Sequence, residues 1–338
     1  MAIITYLKSI LLSLLIFGCS PKSEFQEIYG NAFGTTYSIK VVTELTDEAL
    51  QKKVDELVQR VNSSISTYDQ ASLISRVNRG DSGVIADEYF TEVLDLSRKV
   101  NYQTNGFFDP TVGILVNALG FGPNKISTLP SLQMLDSLCW FVGLDQVKID
   151  SDGTIIKNHP QVYLDFNAIG KGYGIDLIGR ALEGLGITDY LIEIGGEIKA
   201  KGLNQKKNQS WLIGIESPDV MPDGRSIDKI LEIVDQSMAS SGNYRKFKVD
   251  TLTGRKYVHT INPLNCRAEE NAITSASVLA STCAEADAYA TAIMAMGLER
   301  TKQFLAKRPD LQVYFTYYDK EYQPKWYATS NMFDLLKQ

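Results

Sequence analysis

Between residues 35 and 42 the chain alternates, with Tyr37, Ile39 and Val41 on one side and Ser38 and Lys40 on the other, which predicts a strand. Thr46-Asp47-Glu48 then caps a helix whose Leu50, Val54, Leu57 and Val61 recur at threes and fours. Ser66-Thr67-Tyr68-Asp69 reads as a polar loop entering a short helix, and a longer helix is expected from about Asp87 to Val100, with Phe90, Val93, Leu94 and Ser97 inward. Val162, Leu164 and Phe166 alternate as a strand that breaks into Gly170, Gly172 and Gly174, with Lys171 among them. Helical spacing resumes at Ile175, Leu177, Ile178, Ala181 and Leu182. Strands are expected at Tyr190–Ile194 and Trp211–Glu216, joined by a hairpin connection from Lys199 to Gln209. Met238 begins a buried strand that turns at Gly242, Ala276–Ala280 is another, and the alanine-rich run from Cys283 to Gly297 is a helix. Strands and helices interspersed in this way make an α/β protein.

Ahead of these elements, Lys8 precedes an apolar run, Ile10–Phe17, that is too short to span a bilayer and has the order of a secretory signal. It ends in Gly18-Cys19-Ser20, with Ile16 three before the cysteine, and resembles a lipobox. The expected organisation is a lipoprotein signal over residues 1–18, a lipidated Cys19 with a tether over 19–29, and a folded domain over 30–338. A diacylated N-terminus holds that domain at a membrane surface in a bacterial cell envelope, on the extracytoplasmic side. An ordinary signal peptide with a chance cysteine is the alternative. The net charge of −6 argues against a nucleic-acid partner. Of the remaining cysteines, Cys139 beside Leu138 and Trp140 reads as a buried apolar residue, while Cys266 and Cys283 are free to pair. With only His159 and His259, a histidine-rich metal site is excluded.

Several stretches carry chemistry. A strand, a glycine-rich turn and a helix start bring backbone N–H groups near phosphate oxygens, with Lys171 adding a positive charge and Asp165 a carboxylate. In 104–123, Asp109 and Thr111 stand beside Phe107 and Phe108, a hydrogen-bonding pair next to rings able to stack. Asp287 and Thr291 are four apart and share a helix face, offering hard oxygen ligands to Mg²⁺. They equally fit a charge in the first helical turn and a packed hydroxyl. His259 is either a satisfied, partly buried side chain or a base at neutral pH.

Together, Phe33-Gly34-Thr35-Thr36-Tyr37, Ser66-Thr67-Tyr68, Phe108-Asp109-Pro110-Thr111-Val112-Gly113, Asp165 through Tyr173, Ile194-Gly195-Gly196, Ser241-Gly242-Asn243-Tyr244, His259 through Pro263 and Ala286 through Thr291 resemble, in that order, the ApbE family of FAD:protein FMN transferases. The resemblance implies two interleaved lobes with mixed sheets and a cofactor cleft between them. FAD would lie across the glycine-rich elements as substrate, with Mg²⁺ at its pyrophosphate. FMN would pass to a threonine of an acceptor protein, such as a subunit of a membrane redox complex, and AMP would leave. By matching position, the metal ligands are the main-chain oxygen of Ala168 and the side chains of Asp287 and Thr291. Asp165 and Lys171 hold the dinucleotide, Phe33, Tyr68, Phe108, Asp109 and Ile261 surround its rings, and His259 deprotonates the attacking hydroxyl. Ala290 departs from members that carry an aspartate there, implying one acidic ligand fewer. A metal-dependent FAD pyrophosphatase and a non-enzymatic flavin-binding lipoprotein remain as alternatives.

Overall fold

The clean alternation at residues 35–42 belongs to a sheet of eight strands: β1 (Glu24–Ala32), β2 (Thr35–Thr43), β3 (Tyr190–Ile194), β4 (Glu197–Lys201), β5 (Gln236–Gly242), β6 (Ile273–Ala280), β7 (Gln312–Tyr318) and β8 (Pro324–Ala328). The computed structural model describes residues 24–337 apart from 124, 125, 127, 219–225, 244–246, 252 and 253. The signal run, Cys19 and Tyr244 lie outside the described residues. Spatial order in the sheet follows chain order, and every neighbouring pair is antiparallel. The expected mixture of helices with several sheets is therefore what the chain builds, but the named strand pairs do not mix directions.

Long excursions leave this meander and return to it. Between β2 and β3 the chain forms α1 (Asp47–Ile65), α2 (Glu88–Gln103) and α3 (Gly170–Gly184), and between β6 and β7 it forms α4 (Cys283–Met296). Thr46 and Asp87 cap α1 and α2 by accepting from the N–H groups of Ala49 and Phe90. Successive residues of a strand face opposite ways, and here both faces are covered. Ala239, Val278 and Phe315 pack with α2 and α4, while Met238, Leu279 and Tyr314 pack on the strands Trp211–Glu216 and Ile227–Ile233. A further small sheet joins Phe247–Val249, Lys256–Asn262 and Arg267–Glu269.

The glycines at 170, 172 and 174 do not form a turn; they are the opening turns of α3. Two of them permit close approach. A Cβ on Gly172 would sit 2.4 Å from the Cys283 carbonyl oxygen, and one on Gly174 would sit 2.3 Å from the Phe33 ring. α3 and α4 thus meet backbone to backbone, and each caps the other. Asp176 accepts from the N–H groups of Cys283 and Ala284 at 3.0 and 2.9 Å, while Asp287 accepts from the N–H of Gly172 at 3.3 Å.

Other expectations are corrected. Val162–Phe166 is extended and buried but joins no ladder, making one bridge from Tyr163 to Val112. Residues 24–29, assigned to the tether, belong to β1, whose edge position leaves most of its side chains polar or exposed. Lys199 is a β4 residue, so the connection toward Trp211 begins only after Lys201. The cysteine pairing differs as well: Cys139 is bonded to Cys266 across 127 residues, and Cys283 is a buried free thiol at the α3–α4 contact.

Gly172→Ala is expected to lower stability by roughly 1–3 kcal/mol, because the added methyl meets backbone that cannot yield. Gly184→Ala, where no atom lies within 4 Å of the new Cβ, serves as the neutral control in the same urea titration. Peptide mapping of non-reduced protein should link the Cys139 and Cys266 peptides, and the Cys139→Ser/Cys266→Ser protein should lose about 2–5 kcal/mol in that titration.

Candidate active site

The reciprocal caps put the start of α3 and the first turns of α4 on one wall of a cleft of about 1250 Å³. That exceeds the roughly 300–1,000 Å³ of an ordinary small-ligand pocket. Of the residues singled out in the sequence, Phe33, Tyr68, Phe108, Asp109, Asp165, Ala168, Lys171, His259, Ile261, Asp287 and Thr291 all line it. Lys171 reaches Glu197 Oε1 at 3.1 Å and Asp287 Oδ2 at 3.8 Å. Thr291 Oγ1 lies 3.3 Å from Ser241 Oγ. His159 is elsewhere, exposed and stacked on Phe141.

Burial dominates the electrostatics of this wall. Burial alone would pull the Lys171 ammonium down, but the carboxylates of Asp287 and Glu197 outweigh it and hold its pKa above the usual lysine value. Burial raises Asp287, with Lys171 and the Gly172 N–H opposing. Glu197 is pushed up to about 7 by burial, against the pull of Lys171. Burial also lifts Asp165 to about 6, although its Oδ1 accepts from the Asn167 N–H at 2.8 Å.

Loops and strands supply the rest of the lining. Phe33 and Gly34 form the two-residue β1–β2 turn with φ of 52° and 78°, as a tight hairpin twisted like its strands requires. The Phe33 ring is thereby held over α3. Tyr68 stands on the rim, 60% exposed, and Phe108 is buried. His259, Thr260 and Ile261 all line the cleft from the strand Lys256–Asn262, whose register against its neighbour shifts within this stretch.

Two placements qualify the expected roles. Thr111 is not on the cleft surface; its hydroxyl donates to Asp109 Oδ1 at 2.5 Å and accepts from the Gly143 N–H at 2.7 Å. Asp109 also accepts from the N–H groups of Thr111 and Leu144, so its carboxylate organises the 104–113 loop even where it borders the cleft. Ala290 is fully buried in the core and does not line the cleft. Glu197 also lines the cleft, and its sequence signal is slight: a lone acid directly after Gly195-Gly196 at a strand boundary.

The residues present fit Mg²⁺. The Gly172 N–H, which would close the first helical turn onto the Ala168 carbonyl, donates to Asp287 instead. The Ala168 oxygen accepts no hydrogen bond among the described residues. One free carbonyl, one carboxylate and one hydroxyl leave positions for water and phosphate, as this cation prefers. Among the described residues no group of three His, Cys, Asp or Glu side chains converges on a metal position.

This fold is shared with solved flavin transferases. The Vibrio cholerae flavin transferase ApbE superposes with a TM-score of 0.82 at 33% identity, covering 93% of this chain and 100% of that one. The profile of the ApbE family matches residues 33–315, and the chain belongs to that family. Relatives named FAD:protein FMN transferase include one from Vibrio cholerae, 37% identical over 85% of this chain and 86% of its own length. Another, from Haemophilus influenzae, is 31% identical over 90% of each.

Asp165 yields a pH-dependent prediction. Its folded pKa of about 6 lies above the ordinary 3.8, so the stability it contributes is present at low pH and lost as pH rises through about 6. Asp165→Asn, whose amide oxygen still accepts from Asn167, is therefore expected to be more stable than the parent at pH 7.5 by about 2–3 kcal/mol. The difference should vanish near pH 4 in parallel urea titrations.

Proposed function

We propose that this chain transfers FMN from FAD to a threonine hydroxyl of an acceptor protein, with Mg²⁺ as cofactor and AMP as leaving group. It is a transferase, as its relatives are named. The observation that carries the reading is the convergence of Lys171, Asp287, Thr291 and the unbonded Ala168 oxygen in a cleft large enough for a dinucleotide. Ala168, Asp287 and Thr291 would hold Mg²⁺, which would supply charge neutralisation at the pyrophosphate.

The protein's own groups do the rest. Lys171, fixed between two carboxylates, presents a permanent positive charge to the pyrophosphate. Phe33, Tyr68 and Phe108 offer aromatic surfaces to the rings. His259, which also lines the cleft, accepts the proton of the attacking hydroxyl. The new bond joins that oxygen to the flavin-side phosphorus, the pyrophosphate P–O bond breaks, and the electron pair leaves with AMP. Holding both partners still provides most of the catalysis, since phosphoryl transfer asks little covalent work of a protein.

We place the enzyme in the bacterial cell envelope, anchored through a lipidated Cys19 on the extracytoplasmic side. The Cys139–Cys266 disulfide supports this location, because such bonds persist in oxidising compartments.

Purified protein incubated with FAD, Mg²⁺ and a threonine-bearing acceptor should leave flavin fluorescence on the acceptor after denaturation. Free FMN and AMP without labelled acceptor would make the protein a pyrophosphatase, and unchanged FAD would make it a carrier. Asp287→Ala should reduce Mg²⁺-dependent turnover at least a hundredfold while preserving the circular dichroism spectrum. Turnover close to the parent's would remove Asp287 from the cation site.

A further inference from the structure

Two lysine–carboxylate pairs lie two residues apart on β4, and only one of them is complete. Lys199 donates to Asp176 Oδ1 at 3.0 Å, and both Asp176 oxygens are further engaged by the N–H groups of Cys283 and Ala284. That pair is a finished structural joint. In the other, Glu197 Oε1 receives Lys171, while Oε2 is buried without a hydrogen-bond partner among the described residues. Glu197 is 4% exposed and lines the cleft. A buried carboxylate oxygen left unpaired is costly, and natural structures retain few of them. The neighbouring Gly195 and Gly196, with φ of 63° and 108°, form the tight turn that delivers Glu197 to the cleft. Glu197 and Asp287 oxygens lie 3.1 and 3.8 Å from the same Lys171 nitrogen.

We propose that Glu197 is the second carboxylate of the divalent-cation site, a positioning residue whose Oε2 accepts a hydrogen bond from a water in the cation's shell while Oε1 holds Lys171. This rests on the reading of Ala168, Asp287 and Thr291 as cation ligands. Ala290 cannot contribute a carboxylate, so Glu197, reaching in from the sheet, supplies negative charge that α4 lacks. Outer-shell partners of this kind typically change metal affinity by about 10–100-fold when removed.

The test uses FAD-free protein with Mn²⁺ as probe, free Mn²⁺ being read by electron paramagnetic resonance and Mg²⁺ affinity by competition. Glu197→Gln keeps an oxygen for Lys171 but puts a donor where Oε2 accepts. It should weaken cation binding about 10–100-fold. Cation affinity equal to the parent's, with Asp287→Ala having lost binding, overturns the role of Glu197 alone. A parent that binds no cation, or an Asp287→Ala protein that binds like the parent, removes the cation site and this proposal together. Should Glu197→Gln not fold, Lys171→Met/Glu197→Gln, which removes the two paired charges together, is compared with Lys171→Met. The same loss is expected there, and equal affinities overturn the proposal.

Discussion

The site depends on two helices capping each other. Asp176 of α3 satisfies the first N–H groups of α4, and Asp287 of α4 satisfies an N–H in the first turn of α3. Orphan donors at helix starts need partners; Thr282 caps the Glu285 N–H within α4 itself, and the two helices supply further partners by lying against each other. Gly172 makes that contact possible, because any side chain would meet the Cys283 carbonyl. The functional consequence is local: diverting the Gly172 N–H to Asp287 leaves the Ala168 oxygen unbonded, and it places Lys171 beside Asp287. Packing and ligand geometry are set by one contact.

The same arrangement stores electrostatic cost. Asp165, Asp287 and Glu197 are all buried, and burial raises each of their pKa values. One lysine cannot offset three carboxylates out of water. A site held in this condition by a sheet covered on both faces carries excess negative charge that a bound cation would offset. Stability forgone at such a site is the usual counterpart of preorganisation.

Much of this was legible beforehand. The caps at Thr46 and Asp87, the alternation of β2 and the alanine-rich α4 follow from local rules, and they hold. Most of the candidate ligands share one cleft, because their motifs lie at turns and helix starts that the fold gathers. What misled was non-local. Three spaced glycines look like a turn unless the partner helix that needs their missing side chains is known. Thr111 looks like a ligand until its hydroxyl is seen on Asp109. The pairing of Cys139 with Cys266 spans 127 residues and leaves no local trace.

Sheet register explains why residues so far apart in sequence assemble. Ile198 pairs with Met238, and Met238 pairs with Leu279. The beginning of β4 therefore lies level with the end of β6, although a meander without stagger would separate them by a strand length. The β3–β4 turn bearing Glu197 consequently stands beside the entry to α4 bearing Asp287. A two-residue slip between β5 and β6 would preserve the faces of the sheet, since side chains alternate with period two. It would nevertheless move Leu279 away from Met238 and carry the start of α4 out of reach of Gly172. Core burial alone does not discriminate such a slip; the caps on α3 and α4 do, so the contacts that shape the site also fix the strand register.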